Sequence, residues 1–171
     1  MLVRVTDEVP HPYLQKEVPP CNIFSVKWGT VDSAEWVLIV PAERKRLAAV
    51  RNFAAAFARS AGAHPKRVED LTLAVDELVT NVIVHGYQDR PGDVEVICSQ
   101  QGGAIQVTIR DRAPVYDVTE VPAPDVHLSL EQRQVGGLGL HLVRKSVDRF
   151  EHRARPGGGN ELTLEVGLHP R

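Results

Sequence analysis

The 171-residue sequence has little of several features, and each shortage excludes a class of function. Its two cysteines, Cys21 and Cys98, are far apart and form no CxxC pair, so reduced thiols are expected rather than a disulfide or a zinc site. Seven histidines lack metal-ligand spacing, and no apolar run is long enough to cross a bilayer. The formal net charge of −2 argues against affinity for bulk nucleic acid. With no signal-like N-terminus, a cytoplasmic domain is expected that contacts neither membrane nor nucleic acid directly.

The stretch from Asp70 to Tyr87, DLTLAVDELVTNVIVHGY, is the segment around which we interpret the rest of the chain. Its apolar residues follow one another almost without interruption, a density typical of a largely buried helix. Pro65 stands where the first residue of such a helix is expected, and Gly86 is placed to end its last turn. The sequence therefore predicts a long buried helix here.

Three polar residues, Glu77, Asn81 and His85, recur at four-residue intervals and so form one stripe along this helix. No lysine or arginine lies between residues 67 and 90, so the Glu77 carboxylate has no cationic neighbour on its own helix. Burying an unpaired carboxylate costs on the order of several kcal/mol, so a group outside the helix is expected to complete the stripe. A hydrated cation held by the Asn81 amide, with a hydroxyl facing Glu77, would do so. The alternative is a solvated stripe on an ordinary amphipathic helix.

Further helices and strands are predicted from periodicity and turn residues. The strands are predicted at residues 34–40, 94–98, 104–111, 150–155 and 161–166, and the other helices at residues 43–61 and directly after Gly139. Gly102-Gly103 lies in the turn that joins the second and third of these strands into a hairpin. Hairpins require antiparallel pairing, so the chain is predicted to be α+β, with a mixed, mainly antiparallel sheet and helices on one face.

The chain divides into a domain at residues 34–171 and an N-terminal extension at residues 1–33. The extension contains four prolines, which exclude a long helix. Residues 22–28 within it are a candidate extra strand. An edge strand or a tail on the core is a more economical interpretation of this extension than a dedicated docking motif.

A long connection and a glycine-rich sequence follow the first hairpin. Residues 118–134 show little periodicity, and a connection of this length in a compact domain is typical of a lid or a disordered segment. It leads into Gly136-Gly137-Leu138-Gly139 at the start of a helix, where backbone N–H groups and the helix dipole can bind phosphate. The sequence is neither GxxxxGK[ST] nor GxGxxG, so a flexible hinge remains the alternative.

Asp111 closes the strand that begins at residue 104. A carboxylate at a strand end, beside small residues, can accept a hydrogen bond from the exocyclic amino group of a base in a close-fitting pocket. The alternative is an aspartate that caps a turn, helped by Pro114.

The order of these features resembles that of the GHKL ATPases, which include gyrase, histidine kinases and MutL. The sequence ELVTNVIVHGY is most similar to the N-box of the anti-sigma-factor serine kinases within that superfamily. The resemblance extends from about residue 34 to residue 166. It implies the two-layer histidine-kinase-like ATPase fold, ATP and Mg²⁺ as cofactors, and a lid at residues 118–134.

Transferred to this chain, the resemblance implies that Asn81 ligates Mg²⁺ and that Glu77 is the base for an attacking serine hydroxyl. Asp111 would bind the adenine amino group. The other residues implied to contact ATP are His85, Ala113, Arg133, Gly137, Leu138, Gly139, Leu140 and Thr163.

The sequence departs from the family pattern after Asp111. The family's Asp-x-Gly-x-Gly motif has Ala113 and Val115 in place of its glycines, and Arg133 is only the nearest basic residue to the second glycine motif. The predicted function is an ATP-dependent serine kinase that binds a sigma factor and phosphorylates an anti-sigma-factor antagonist. The alternative is a regulatory module of the same fold that binds ATP without transfer. A homodimer is left open.

Overall fold

The computed structural model describes residues 24–27, 35–115 and 138–170, which form an antiparallel sheet with helices packed on one face. The six strands are arranged in the order β1-β2-β3-β4-β6-β5, and every pair of neighbours in these ranges is antiparallel. The strands are β1 (Phe24–Lys27), β2 (Glu35–Pro41), β3 (Asp93–Gln101), β4 (Ala104–Arg110), β5 (Arg149–Ala154) and β6 (Asn160–Gly167). The helices are α1 (Leu47–Ser60), α2 (Pro65–Asn81) and α3 (Leu138–Ser146).

One face of the sheet carries the hydrophobic core. Alternate residues of β3, β4 and β6 are buried beneath the helices, and those between them are half-buried on the other face, as period-two strands require. On β2, Trp36 packs against Phe53 and Phe57 of α1, with ring centroids 6.0 and 5.4 Å apart. The core is therefore a single layer between sheet and helices.

Helix α2 lies at the centre of that layer and begins at Pro65, as the sequence predicts. The His64 ring accepts a hydrogen bond from the backbone N–H of Lys66 at 3.2 Å and so caps the helix. A π-helical turn at Val82–Gly86 continues the helix, and the Tyr87 N–H donates to the Val82 carbonyl at 2.8 Å. The helix therefore widens immediately after Asn81.

Arg67 fixes α3 against α2. Its side chain is almost fully buried, and its guanidinium donates to the carbonyls of Ser146 and Gly167 at 3.3 and 3.0 Å. It also forms ion pairs with Asp70 on its own helix and Asp148 after α3. One buried cation thus joins the start of α2, the end of α3 and the end of β6.

The predicted α+β architecture is confirmed. Within residues 22–28, where an extra strand is predicted, the structure has β1 paired with β2. Among the described residues, no helix is long and apolar enough to cross a membrane. The predicted lid, Arg133, Gly137 and the side chain of Leu138 lie outside the described residues, so their roles stay predictions.

Candidate active site

Glu77 on α2 faces the first turn of α3. A Cβ built on Gly139 would overlap the Glu77 Oε2 atom, so the carboxylate occupies the space that a side chain at position 139 would take. The close approach places the Glu77 carboxylate beside the backbone at the beginning of α3, where helix N–H groups lack intrahelical partners. The glycine predicted from sequence to bind phosphate and the predicted base are thus neighbours.

No cation in residues 35–115 or 138–170 pairs with the Glu77 carboxylate. In the described part of the chain no hydrogen bond or ion pair involves Glu77, whereas its neighbour Asp76 pairs with Arg51 of α1 at 3.0 Å. Burial raises the pKa of Glu77, and the negative charge of Asp76 raises it further. A carboxylate in this setting is more basic than one in water.

Asn81 and His85 differ in exposure. Asn81, the last residue of α2, is half-buried, whereas His85 is exposed in the π-helical turn. The stripe was deduced from 3.6 residues per turn, and the wider π-helical turn breaks that spacing after Asn81. Glu77 and Asn81 therefore retain their common face, and His85 is the exposed end of the stripe.

Asp111 is the buried polar group at the end of β4, with only 1% of its surface exposed. Its Oδ1 accepts hydrogen bonds from the Ala113 N–H at 2.8 Å and from the Asn160 amide at 2.9 Å. Its Oδ2 is also buried, yet no donor in the described residues reaches it. Burial raises the pKa of Asp111, and the hydrogen bonds from Asn160 and Ala113 oppose that rise. Asp111 thus presents an acceptor that lacks a partner among the described residues.

The turn between β5 and β6 packs directly on Asp111. Gly159 has φ +94°, and a Cβ there would overlap the backbone of Asp111 and Arg112. The Arg155 guanidinium donates to the Asp111 carbonyl at 3.1 Å, and the Asp111 N–H donates to the Asn160 carbonyl at 3.1 Å. These contacts fix the strand end on which the carboxylate is carried.

Tyr87 connects this strand end to the end of the α2 segment. Its hydroxyl donates to the Asp93 carbonyl and accepts from the Arg112 N–H, both at 2.9 Å. Gly92 leaves room for the ring, because a Cβ at that position would overlap it. Asp111 and the Asn81 end of α2 therefore lie on the same side of the molecule.

The structure brings together Glu77 with Gly139, and Asp111 with Ala113. Leu140 is buried in the hydrophobic core, so its side chain packs there. Thr163, also predicted to contact ATP, alternates with the buried Leu162 and Leu164 and so lies on the sheet face away from the helices.

Asn160 is the residue that the sequence analysis missed. It is 1% exposed, has the same orientation in β6 as the buried leucines, and contacts Asp111 directly. The sequence does contain a signal for it: Asn160 is a polar residue at the start of β6, and it is spaced by two and four residues from the apolar Leu162 and Leu164. Asn160 therefore belongs to the Asp111 pocket, and the role of Thr163 stays a prediction.

Comparison with known proteins gives consistent results. The sequence model of the histidine kinase-like ATPase domain matches residues 40–166. The serine/threonine-protein kinase BtrW of Bordetella bronchiseptica is 32% identical over 95 residues, which are 55% of this chain and 66% of that protein. The anti-sigma F factor of a Thermoanaerobacter species is 28% identical over 120 residues, covering 68% of this chain and 83% of that protein. The serine-protein kinase RsbW of Bacillus cereus is 24% identical over 116 residues, covering 66% and 72%.

A solved structure supports the fold. The crystal structure of the RsbU and RsbW domains of Rv1364c from Mycobacterium tuberculosis superposes with a TM-score of 0.54 and 22% identity. The superposition covers 77% of this chain and 32% of the mycobacterial chain. At that identity, the similarity concerns the arrangement of the sheet and helices alone.

Proposed function

The chain belongs to the histidine kinase-like ATPase family, and from this premise we propose that it is an ATP-dependent protein serine kinase of the anti-sigma-factor type. The proposal has three parts, which are a pocket for adenine, a site for metal and phosphate, and a base for the serine hydroxyl. Relatives described as serine kinases and as an anti-sigma factor support it at modest identity.

The observation that carries the proposal is the Oδ2 of Asp111, which has no partner in the part of the chain that the structure describes. A buried acceptor without a donor costs about 1–3 kcal/mol, so the folded chain is expected to bind a ligand that supplies one. The exocyclic amino group of adenine is such a donor, whereas guanine has a carbonyl oxygen at the same position. The Asp111 pocket therefore fits ATP better than GTP.

The α2 and α3 segments fit the phosphate end of the same ligand. We assign the Asn81 amide oxygen as a ligand of Mg²⁺ and the backbone N–H groups beginning α3 as donors to phosphate oxygens. Gly139 keeps those N–H groups accessible, since no side chain projects toward Glu77. Bound Mg-ATP supplies the γ-phosphoryl group and the positive charge that stabilises its transfer.

Glu77 is the proposed general base. It is half-buried without a cationic partner in the described residues, and its raised pKa makes it more basic than an ordinary glutamate. A base whose pKa lies closer to the working pH removes a proton more effectively. Glu77 would take the proton from the serine hydroxyl of an antagonist protein as the hydroxyl oxygen attacks the γ-phosphate. A sigma factor would be the second protein partner.

A module that binds ATP without phosphoryl transfer is the second candidate. The observation that favours it is the loop after Asp111, where Ala113 is buried and Val115 is 53% exposed at positions that are glycines in the family motif. A β-branched residue restricts the backbone there more than glycine does. This loop affects how closely the backbone after Asp111 can approach the nucleotide, and it leaves the general base Glu77 unchanged.

Titration calorimetry and a transfer assay together distinguish the two candidates. The protein is titrated with ATP and with ADP, with and without Mg²⁺, and then incubated with labelled ATP and an antagonist protein encoded nearby. A kinase binds ATP in a Mg²⁺-dependent manner and labels the antagonist on serine. Binding of ATP without any labelling identifies the non-catalytic module, and absence of ATP binding contradicts both candidates.

A further inference from the structure

A chain of hydrogen bonds connects His152 on β5 to the carboxylate of Asp111. The His152 Nε2 lies 3.0 Å from the Asn160 Oδ1, and the Asn160 Nδ2 donates to the Asp111 Oδ1 at 2.9 Å. His152 is half-buried at the edge of the sheet, whereas Asn160 and Asp111 are both buried. The three side chains come from two adjacent strands and the end of a third.

The contacts determine the orientation of the Asn160 amide. Its nitrogen faces the Asp111 Oδ1 and, at 3.4 Å, the Pro114 carbonyl, and an ionised carboxylate and a carbonyl can only accept. The amide oxygen must therefore face His152. Because that oxygen can only accept, the His152 Nε2 carries a proton and donates it to the bond.

We propose that Asn160, oriented by His152, is a positioning residue that fixes the Asp111 carboxylate for selection of adenine. This inference rests on the proposed function, because it assumes that Asp111 contacts the base. Asn160 and the Ala113 N–H together occupy Oδ1, which leaves Oδ2 as the only oxygen available to a ligand among the described residues. His152 prevents the amide from rotating to present its oxygen to Asp111, which would place two acceptors together.

The hydrogen bond from Asn160 also acts on the charge state of Asp111, against the effect of burial. A hydrogen bond donated to an ionised carboxylate favours that form, and only the ionised form presents two acceptor oxygens. The other titratable or charged groups around it in the described residues are Arg112 next in the chain, Arg155 from the β5–β6 turn, Tyr87 from the end of the α2 segment, and Asp93 at the Tyr87 hydroxyl. None of these donates to the carboxylate itself, so Asn160 is its side-chain donor.

The first test compares the affinities of variants for ATP and GTP by titration calorimetry. Asn160→Leu keeps the approximate size but donates nothing, and we expect it to weaken ATP binding about 10-fold and to reduce the preference for ATP over GTP. His152→Phe should also weaken ATP binding and reduce the preference for ATP over GTP, but by less. His152→Gln restores a donor and should retain most of the wild-type preference for ATP. Thr108→Val, on the opposite sheet face, is the matched control and should change neither affinity.

The second test needs no nucleotide. In the ligand-free protein with ¹³C-labelled aspartate, the carboxyl resonance of Asp111, assigned by its loss in Asp111→Asn, is followed against pH. Asn160→Leu should raise the titration midpoint of Asp111, and His152→Phe should raise it less. His152→Phe leaves the sequence of β6 unchanged, so it tests the hydrogen-bond chain from His152 to Asp111 even if Asn160→Leu fails to fold.

The outcomes separate this inference from the proposed function. If Asn160→Leu and His152→Phe alter neither the midpoint nor the nucleotide preference, the positioning role is wrong while ATP binding stands. If the wild type binds no ATP but the midpoint moves, the contact with Asp111 is upheld, whereas selection of adenine and the proposed function both fail. A shift in midpoint together with a reduced ATP preference supports the inference.

Discussion

The Glu77 carboxylate fills the space that a side chain at position 139 would need. The Glu77 carboxylate therefore lies closer to the backbone of the first turn of α3 than a side chain at position 139 would allow. The same contact places a carboxylate that has no cationic partner among the described residues against the backbone of the first turn of α3. Packing and the proposed chemistry thus depend on one glycine.

Gly139→Ala should lower the unfolding free energy by no more than about 1 kcal/mol, because the added methyl group overlaps only the flexible end of the Glu77 side chain, which must move aside. Urea unfolding measures the loss. Gly167→Ala is the control, since the nearest atom to a Cβ there is 3.5 Å away, an ordinary contact. In a Glu77→Ala background the cost of Gly139→Ala should largely disappear. An equal cost in both backgrounds would contradict the contact.

Nucleotide preference tests the Asp111 pocket. ATP should bind about 10²-fold or more tightly than GTP, because a site built around a hydrogen bond rejects an analogue that lacks the matching group. Asp111→Leu should abolish the difference by removing the acceptor. Competition between ATP and GTP for a fluorescent nucleotide analogue measures it. Equal affinities in the wild type would remove Asp111 from this role.

The stability of the ligand-free protein should depend on pH through Asp111. Burial raises its pKa in the folded state, so the folded chain holds a proton there more tightly than the unfolded chain does. The resulting contribution to stability is present below the pKa of the unfolded chain and is lost as pH rises through the raised folded pKa.

Compared with Asp111→Asn, the wild type should therefore gain unfolding free energy as pH falls from about 7 toward about 4. Chemical unfolding of both proteins across that range gives the difference directly. A difference that stays constant or decreases toward low pH would contradict a raised pKa for Asp111.

Arg67→Met should destabilise the fold by about 3–5 kcal/mol, because it leaves Asp148 and Asp70 without their buried cation. Arg59→Met is the matched control on the exposed face of α1 and should change stability by less than about 0.5 kcal/mol. Thermal and urea unfolding provide the comparison. If Arg67→Met lowered the unfolding free energy by no more than Arg59→Met does, the ion pairs of Arg67 with Asp70 and Asp148 would contribute little to stability.

Local patterns allowed most of the fold to be predicted from sequence. The alternation of β4 and the Gly102-Gly103 turn specify a hairpin without reference to distant residues. Pro65 and the dense apolar run specify α2 in the same way. These elements depend on periodicity and on backbone preferences of glycine and proline, which are visible within a few residues.

Features that depend on distant contacts were not predictable. Asn160 is 49 residues from Asp111, and only the pairing of β4 with β6 brings them together. The π-helical turn after Asn81 likewise has no local signal, so His85 was expected to continue the stripe. The contact between the Glu77 side chain and Gly139 depends on how α2 and α3 pack.

Transfer of labelled γ-phosphate from ATP to a serine of the antagonist protein, compared between the wild type and Glu77→Gln, tests the central claim most directly. Glutamine keeps the shape of Glu77 but cannot accept a proton, so transfer should slow by about 10²- to 10⁴-fold while ATP affinity changes little. Asn81→Ala should lower both transfer and affinity, because it removes the Mg²⁺ ligand. If Glu77→Gln transfers phosphate at the wild-type rate, or if the wild type binds ATP and labels no antagonist, Glu77 is not the catalytic base.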